Sequence, residues 1–188
     1  MFTCQMTLQG DVLTYLDMYK NFIIGHDIPT AIQGNCNYLA ALGLSTYTEV
    51  FGGLFRGRLD QGQSTENYNV FIDRFFGSKY TDVDARLCRD DLGGLYGAVR
   101  SGLVHEYLIK DISMVVMDSQ IPIDCGIIYD PNSIPKITFV VKRYFSDFIT
   151  AFKKYESRVK KEQKLVKNVE LALKSIGSKL PRSRPLFK

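Results

Sequence analysis

Arg100-Ser101-Gly102-Leu103-Val104-His105-Glu106-Tyr107 ends a strongly helical pattern and contains one of only two histidines in the chain. A permanent cation and a group that titrates near neutrality, five positions apart, can together grip a phosphate and move a proton. Upstream, Leu92, Leu95, Tyr96, Val99 and Leu103 form an apolar stripe. With Thr81 and Asp84 read as a capping box, the pattern predicts one helix running toward His105, the fourth in the chain. On a wheel of about 100° per residue, Arg100 and His105 stand about 140° and roughly 7.5 Å apart. Gly93, Gly97, Ser101 and Val104 fill the sector between them, with Gly94 and Ala98 beside it. Such small side chains let a second helix approach closely. That helix is either a symmetry mate, giving a cleft lined by two Arg and two His, or a neighbour in the same chain.

Three earlier helices are predicted. Leu8, Val12, Tyr15, Leu16, Tyr19, Phe22 and Ile23 recur at helical spacing, with Gly25 as a left-handed stop. Pro29 opens a long second helix whose stripe is Ile32, Cys36, Leu39, Ala40, Gly43, Tyr47, Val50, Phe51 and Leu54, ending near Gly57. After a polar loop, Tyr68, Phe71, Ile72, Phe75 and Phe76 mark a third helix closed by Gly77. Downstream of His105 the period changes. Ile112 to Met117, Ile123 to Tyr129 and Ile137 to Val141 are short, β-branched-rich runs bounded by proline and turn residues, which predicts a small antiparallel β excursion. From Lys142 the apolar residues resume, Phe145 through Ile176, at steps of three and four broken only at Glu162. This predicts one coiled-coil-like helix of about 32 residues, roughly 48 Å long. Beyond Gly177, Leu180-Pro181-Arg182-Ser183-Arg184-Pro185 cannot hold a helix and reads as a flexible basic tail.

At 188 residues, with 45% hydrophobic and 23% charged residues, the composition is that of one folded domain with appendages. No apolar run approaches the length of a membrane span, and no leader pattern precedes Gly10, so the expected location is cytoplasmic and without a membrane partner. The four cysteines are scattered and lack a histidine cluster. They indicate neither a zinc site nor a disulfide framework and are expected as small core residues; no metal or other cofactor is indicated. The net charge of +4 conceals an asymmetry: Lys160 to Lys188 carries nine Lys or Arg against two Glu, a balance of +7, which leaves −3 for residues 1–159. A basic arm of this kind commonly meets nucleic acid. Lys160, Lys161, Lys164, Lys167, Arg182 and Arg184 are the candidate RNA contacts.

Four helices with Arg-x4-His late in the fourth, here RSGLVHEY at 100–107, resemble the HEPN superfamily. The resemblance covers roughly residues 8–158. It implies a mainly α fold, an antiparallel HEPN-like helical bundle over residues 1–158; the β-hairpin or small sheet read at 110–141 and the long C-terminal helix after it are additions to that pattern. Residues 159–188 follow as an extended basic helix and tail. It also implies a homodimer that cleaves RNA without metal, with Arg100 and His105 as the catalytic pair and Ser101 and Glu106 in support. Many active members carry Asn, Asp or His after the arginine, where this chain has Ser101, which does not titrate.

In the implied transesterification, His105 moves the proton of a ribose 2′-hydroxyl or of the departing 5′-oxygen, and the guanidinium of Arg100 holds the non-bridging oxygens. The alternative is a non-catalytic HEPN-like helical module that binds RNA, a nucleotide or a protein. A toxin held inactive by an antitoxin-like protein partner is a third role that one chain leaves open. Each residue also has a plain structural assignment. His105 would be a histidine favoured by a helix C-terminus, Arg100 would pair with Asp90, Asp91 or Glu106, and His26 would cap the first helix. The lysines from Lys153 to Lys174 would be the solvated side of an amphipathic helix.

Overall fold

The helix Asn37–Arg56 (α3) is the axis of the molecule, with helices from both before and after it in the chain packed against it. Its inward face is Ala40, Ala41, Leu44, Ser45, Thr48, Phe51, Gly52 and Leu54. That face is rotated from the predicted stripe, and Leu39 stands 57% exposed. The rotation follows from a break that periodicity did not reveal: Gly34-Asn35-Cys36 interrupts the expected second helix, with Asn35 at φ 54°, and the helical phase restarts at Asn37. The computed structural model describes residues 2–101, 103 and 113–177. Within them the protein is mainly α-helical with one small three-stranded sheet.

Phe2–Tyr19 (α1) does not stop at Gly25. A π-helical stretch, Lys20–Asp27 (π1), carries the chain directly into Ile28–Gln33 (α2). Nor does His26 cap a helix end; it sits in that stretch and pairs with Asp27 at 3.0 Å on the surface. α3 ends at Gly57 as expected, and that residue, at φ 84°, takes the left-handed conformation. Ser64–Phe71 (α4) then packs along α3 and runs into a second π segment, Ile72–Phe76 (π2), which Gly77 closes at φ 107°. Ser78–Arg89 (α5) begins one turn earlier than the capping-box reading placed it. Thr81 donates its hydroxyl to the Ser78 carbonyl, and Asp84 is engaged elsewhere.

The sheet is mixed. Ser113–Val116 (β1) runs parallel to Ile137–Val140 (β3), which pairs antiparallel with Ile127–Tyr129 (β2), in the order β1-β3-β2. The expected all-antiparallel pairing is therefore corrected: only β2 and β3 meet in that sense. Val141–Val159 (α6) leaves β3 without a loop. Arg143 fastens the sheet's connecting segment to α6, donating Nη1 to the Ile123 carbonyl at 2.9 Å and Nη2 to that of Asp124 at 2.6 Å, while its Nε pairs with Asp147. The Tyr80 hydroxyl also donates to Asp147, at 2.8 Å, and accepts the Gly126 N–H.

The single long final helix is likewise corrected. The seam breaks at Lys160–Glu162, and Gln163–Ser175 (α7) folds back onto α3 and α1. Glu162, the one polar residue in the apolar register, is extended at φ −114°, ψ 101°, and its carboxylate takes a two-pronged bond from Arg158 at 2.6 and 2.9 Å. Leu165, Val166, Val169, Ala172 and Leu173 are consequently buried within this chain. The cysteines divide as well: Cys125 is buried, whereas Cys36 and Cys88 are exposed and are not core residues.

Phe51 lies at the centre of the core, its ring 5.0–6.0 Å from those of Tyr19, Phe71, Phe148, Phe152 and Tyr155. Beside it runs a buried relay: Tyr68 and Tyr144 hydroxyls meet at 3.1 Å, Tyr144 meets Thr48 at 3.0 Å, and Thr48 donates to the Leu44 carbonyl at 2.8 Å. Burial pushes the hydroxyl pKa values of Tyr68, Tyr144 and Tyr155 upward. The Tyr155 hydroxyl is buried with no hydrogen-bond partner among the described residues. The two tyrosines should therefore respond oppositely to loss of the oxygen. Tyr144→Phe strands the Tyr68 donor and should cost about 1–3 kcal/mol, whereas Tyr155→Phe should be neutral or stabilising by up to about 1 kcal/mol. Thermal melts read this as a Tm lowered by roughly 5 °C in the first and held or raised in the second; a drop in both would show that Tyr155 has a partner.

Candidate functional site

The route into the site is set by a turn. α5 ends at Arg89, and Asp91 (φ 57°), Gly93 (φ 72°) and Gly94 (φ 67°) reverse the chain. The last two conformations are the ones glycine adopts without cost. Asp84 then accepts the Leu95 N–H at 2.7 Å and serves as a remote cap for the segment that follows. That segment, Tyr96–Ser101 (π3), packs on α3 and α4, with Leu95, Val99 and Leu103 buried and the Tyr96 ring 5.8 Å from that of Tyr68. The predicted apolar stripe is thus the buried face, but one continuous helix from Thr81 does not exist.

Two consequences follow for the predicted cleft. Gly93 and Gly94 are spent on the turn, so the small-residue row begins only at Gly97. A π segment also winds more loosely than an α-helix, so the 140° separation drawn for Arg100 and His105 does not apply up to Ser101. Ser101 closes π3. His105 and Glu106 lie outside the described residues, as do Arg182 and Arg184.

Arg100 is held. Its Nε donates to Glu49 on α3 at 3.1 Å, and the two side chains are only 17% and 18% exposed. The partner is neither Asp90, which accepts the Tyr129 hydroxyl, nor Asp91, which forms the turn. Partial burial strengthens such a pair while exacting desolvation of both charges. Glu49 takes the Nε edge, and no hydrogen bond from Nη1 or Nη2 to another described residue accompanies it. A guanidinium fixed by one edge keeps further N–H donors, a geometry that suits a phosphate or a carboxylate.

The basic face is partly compensated. Lys160 pairs with Glu156 at 2.9 Å and Lys174 with Glu170 at 2.6 Å, whereas Lys161, Lys164 and Lys167 are exposed without an acidic partner among the described residues. Glu49 was not legible as a site residue, since it lies 51 positions from Arg100 and only packing of π3 on α3 unites them. Among the described residues no group of three His, Cys, Asp or Glu is placed to hold a metal ion, and no helix is long and apolar enough to cross a membrane. Compared with known proteins, the chain matches no family model, no curated protein and no solved structure.

Proposed function

We propose that the protein is a metal-independent, HEPN-type endoribonuclease of the cytoplasm, acting as a homodimer through Arg100 and His105. The observation that carries this reading is the Arg100 guanidinium, anchored through Nε by Glu49 with its Nη groups unclaimed among the described residues. In the proposed reaction the Nη groups bind the non-bridging oxygens of an RNA phosphate and stabilise the charge that builds on them. His105 of one copy takes the proton from the 2′-hydroxyl, which attacks phosphorus, and His105 of the other protonates the departing 5′-oxygen. The products are a 2′,3′-cyclic phosphate and a 5′-hydroxyl, and DNA is spared because it lacks the nucleophile. Lys160, Lys161, Lys164 and Lys167, with Arg182 and Arg184, supply phosphate contacts along the RNA.

The test is incubation of structured and unstructured RNA with the purified protein in EDTA. Wild type is expected to cleave, His105→Ala to lose roughly 10²–10⁴-fold in rate, and Arg100→Ala to lose cleavage while keeping the dimer mass. Cleavage that survives His105→Ala, or that EDTA abolishes, overturns the reading. A specific observation favours the non-catalytic alternative: Glu49 neutralises much of the charge that Arg100 would bring to a transition state. An RNA-binding module of the same architecture would bind and never cut.

A further inference from the structure

The described surface carries a second cationic feature, away from Arg100. An open groove of about 600 Å³ runs between π2 and α6. Arg74 and Phe75 form one wall; Lys153, Lys154, Ser157 and Arg158 form the other. The α6 positions follow the three- and four-residue steps of one helix face. Spacing of this kind usually marks a buried stripe, yet here every position is polar, and the buried stripe of α6 (Phe148, Ala151, Phe152, Tyr155, Val159) runs alongside it.

No acid lines the groove. Two sit at its margins: Asp73, 3.5 Å from Arg74, and Glu162, which holds Arg158. The Lys154 ammonium is steadied by the Phe75 carbonyl at 3.2 Å, and Lys153 pairs with no described acid. Arg158 is braced over the Phe55 and Phe75 rings at 5.4 and 5.8 Å. Of the four cations at the trough, Arg74 and Arg158 have an acid at the margin and Lys153 and Lys154 have none among the described residues, so the trough keeps a net positive charge that fits a chain of phosphates. The aliphatic stems make the walls and the charged heads the rim.

We propose that this groove holds the phosphate backbone of single-stranded RNA. Naming RNA rests on the ribonuclease reading; the phosphate chemistry does not. An acidic protein fits less well, because protein interfaces centre on accessible aromatic and aliphatic anchors, and the groove's Phe75 is only 2% exposed. The same burial leaves no ring on which bases could stack, so binding is tolerant of sequence. On α3, Glu49 and Phe55 differ by six residues, about 240° of helix rotation. The groove beside Phe55 and the Arg100 pair on Glu49 therefore face different directions and can be tested apart.

The experiment is fluorescence anisotropy of the full chain with a labelled 2′-O-methyl RNA 12-mer, which cannot be cleaved by the proposed reaction, from about 50 to 200 mM salt. Arg74→Gln/Lys153→Gln/Lys154→Gln is compared with Lys79→Gln/Lys136→Gln/Lys142→Gln, which removes equal charge elsewhere. If each groove cation meets one phosphate, the groove variant loses about 2 from the slope of log K against log salt and about 100-fold in affinity near 0.1 M. The charge-matched control should lose far less. Equal losses in the two variants, tighter binding of polyglutamate than of RNA, or a more than tenfold preference for single-stranded DNA would each overturn the proposal. A groove variant that loses binding while wild type never cleaves RNA removes the ribonuclease and keeps the groove. Cleavage by wild type with an unchanged salt slope in the groove variant does the reverse.

Discussion

Gly52→Ala is expected to be among the most damaging single substitutions in the chain. A Cβ built on Gly52 would stand 1.7 Å from the Asn67 carbonyl oxygen, 2.5 Å from its carbon and 3.1 Å from its Cα. All three are backbone atoms, so no rotamer change gives relief, and α4 would have to move off α3. Asn67 is itself committed: it is 2% exposed, its Nδ2 donates to the Arg58 carbonyl at 2.9 Å, and its Oδ1 accepts from Arg56 at 2.7 Å. Displacing α4 therefore costs hydrogen bonds as well as contact. Overpacking of this severity should cost about 3 kcal/mol or more. For a chain of this size that lowers Tm by roughly 6–12 °C. Gly10→Ala supplies the contrast. Its new Cβ meets nothing within 4 Å on α1, so it should gain up to about 1 kcal/mol from helix propensity alone. Thermal melts of the two variants decide the matter, and a Gly52→Ala protein that melts within about 2 °C of wild type would refute the close crossing of α3 and α4.

That crossing shows where sequence reasoning reaches and where it stops. A Gly-Gly pair inside a helix leaves the same mark in a sequence whether it loosens the helix or admits a neighbour, and in the fold Gly52 is a point of close approach to the Asn67 backbone. Apolar periodicity located the buried sides of α4, α6 and α7 correctly, since burial of Phe71, Phe75, Phe148 and Val166 depends on local spacing. It failed at the joints. The break at Gly34–Cys36, the reversal at Asp91–Gly94 and the bend at Lys160–Glu162 each preserve an apparent period across a change of direction. Glu162 was the visible clue to the last, a charge in an apolar slot whose partner, Arg158, stands one turn back and ends α6. The parallel β1–β3 pairing had no local signature either, because strand order depends on how the intervening chain crosses. The Arg-x4-His spacing singled out Arg100, but its partner was beyond any motif. Glu49 enters only through the third dimension.

The Arg100–Glu49 pair makes Arg100→Lys a sharper test of mechanism than alanine. Lysine keeps the charge and therefore tests geometry alone. A single ammonium placed here is drawn to the Glu49 carboxylate, 3.1 Å from the present Nε, and has no second edge to offer a phosphate. If Arg100 binds the scissile phosphate through its Nη groups, Arg100→Lys should lose about 10²–10³-fold in single-turnover cleavage, the scale of removing one pre-aimed donor. The fold should be little disturbed, because the ion pair survives. Glu49→Gln alone should cost less, since the carboxamide oxygen still accepts from Nε and only the charge of the anchor is lost. Combining the two frees the ammonium from its competitor, so the Arg100→Lys/Glu49→Gln protein should recover at least tenfold over Arg100→Lys, the reverse of additive damage. Melting temperatures taken alongside separate this from a stability effect. If the double variant is no better than Arg100→Lys, the arginine acts through packing, and the ion pair to Glu49 is its whole purpose.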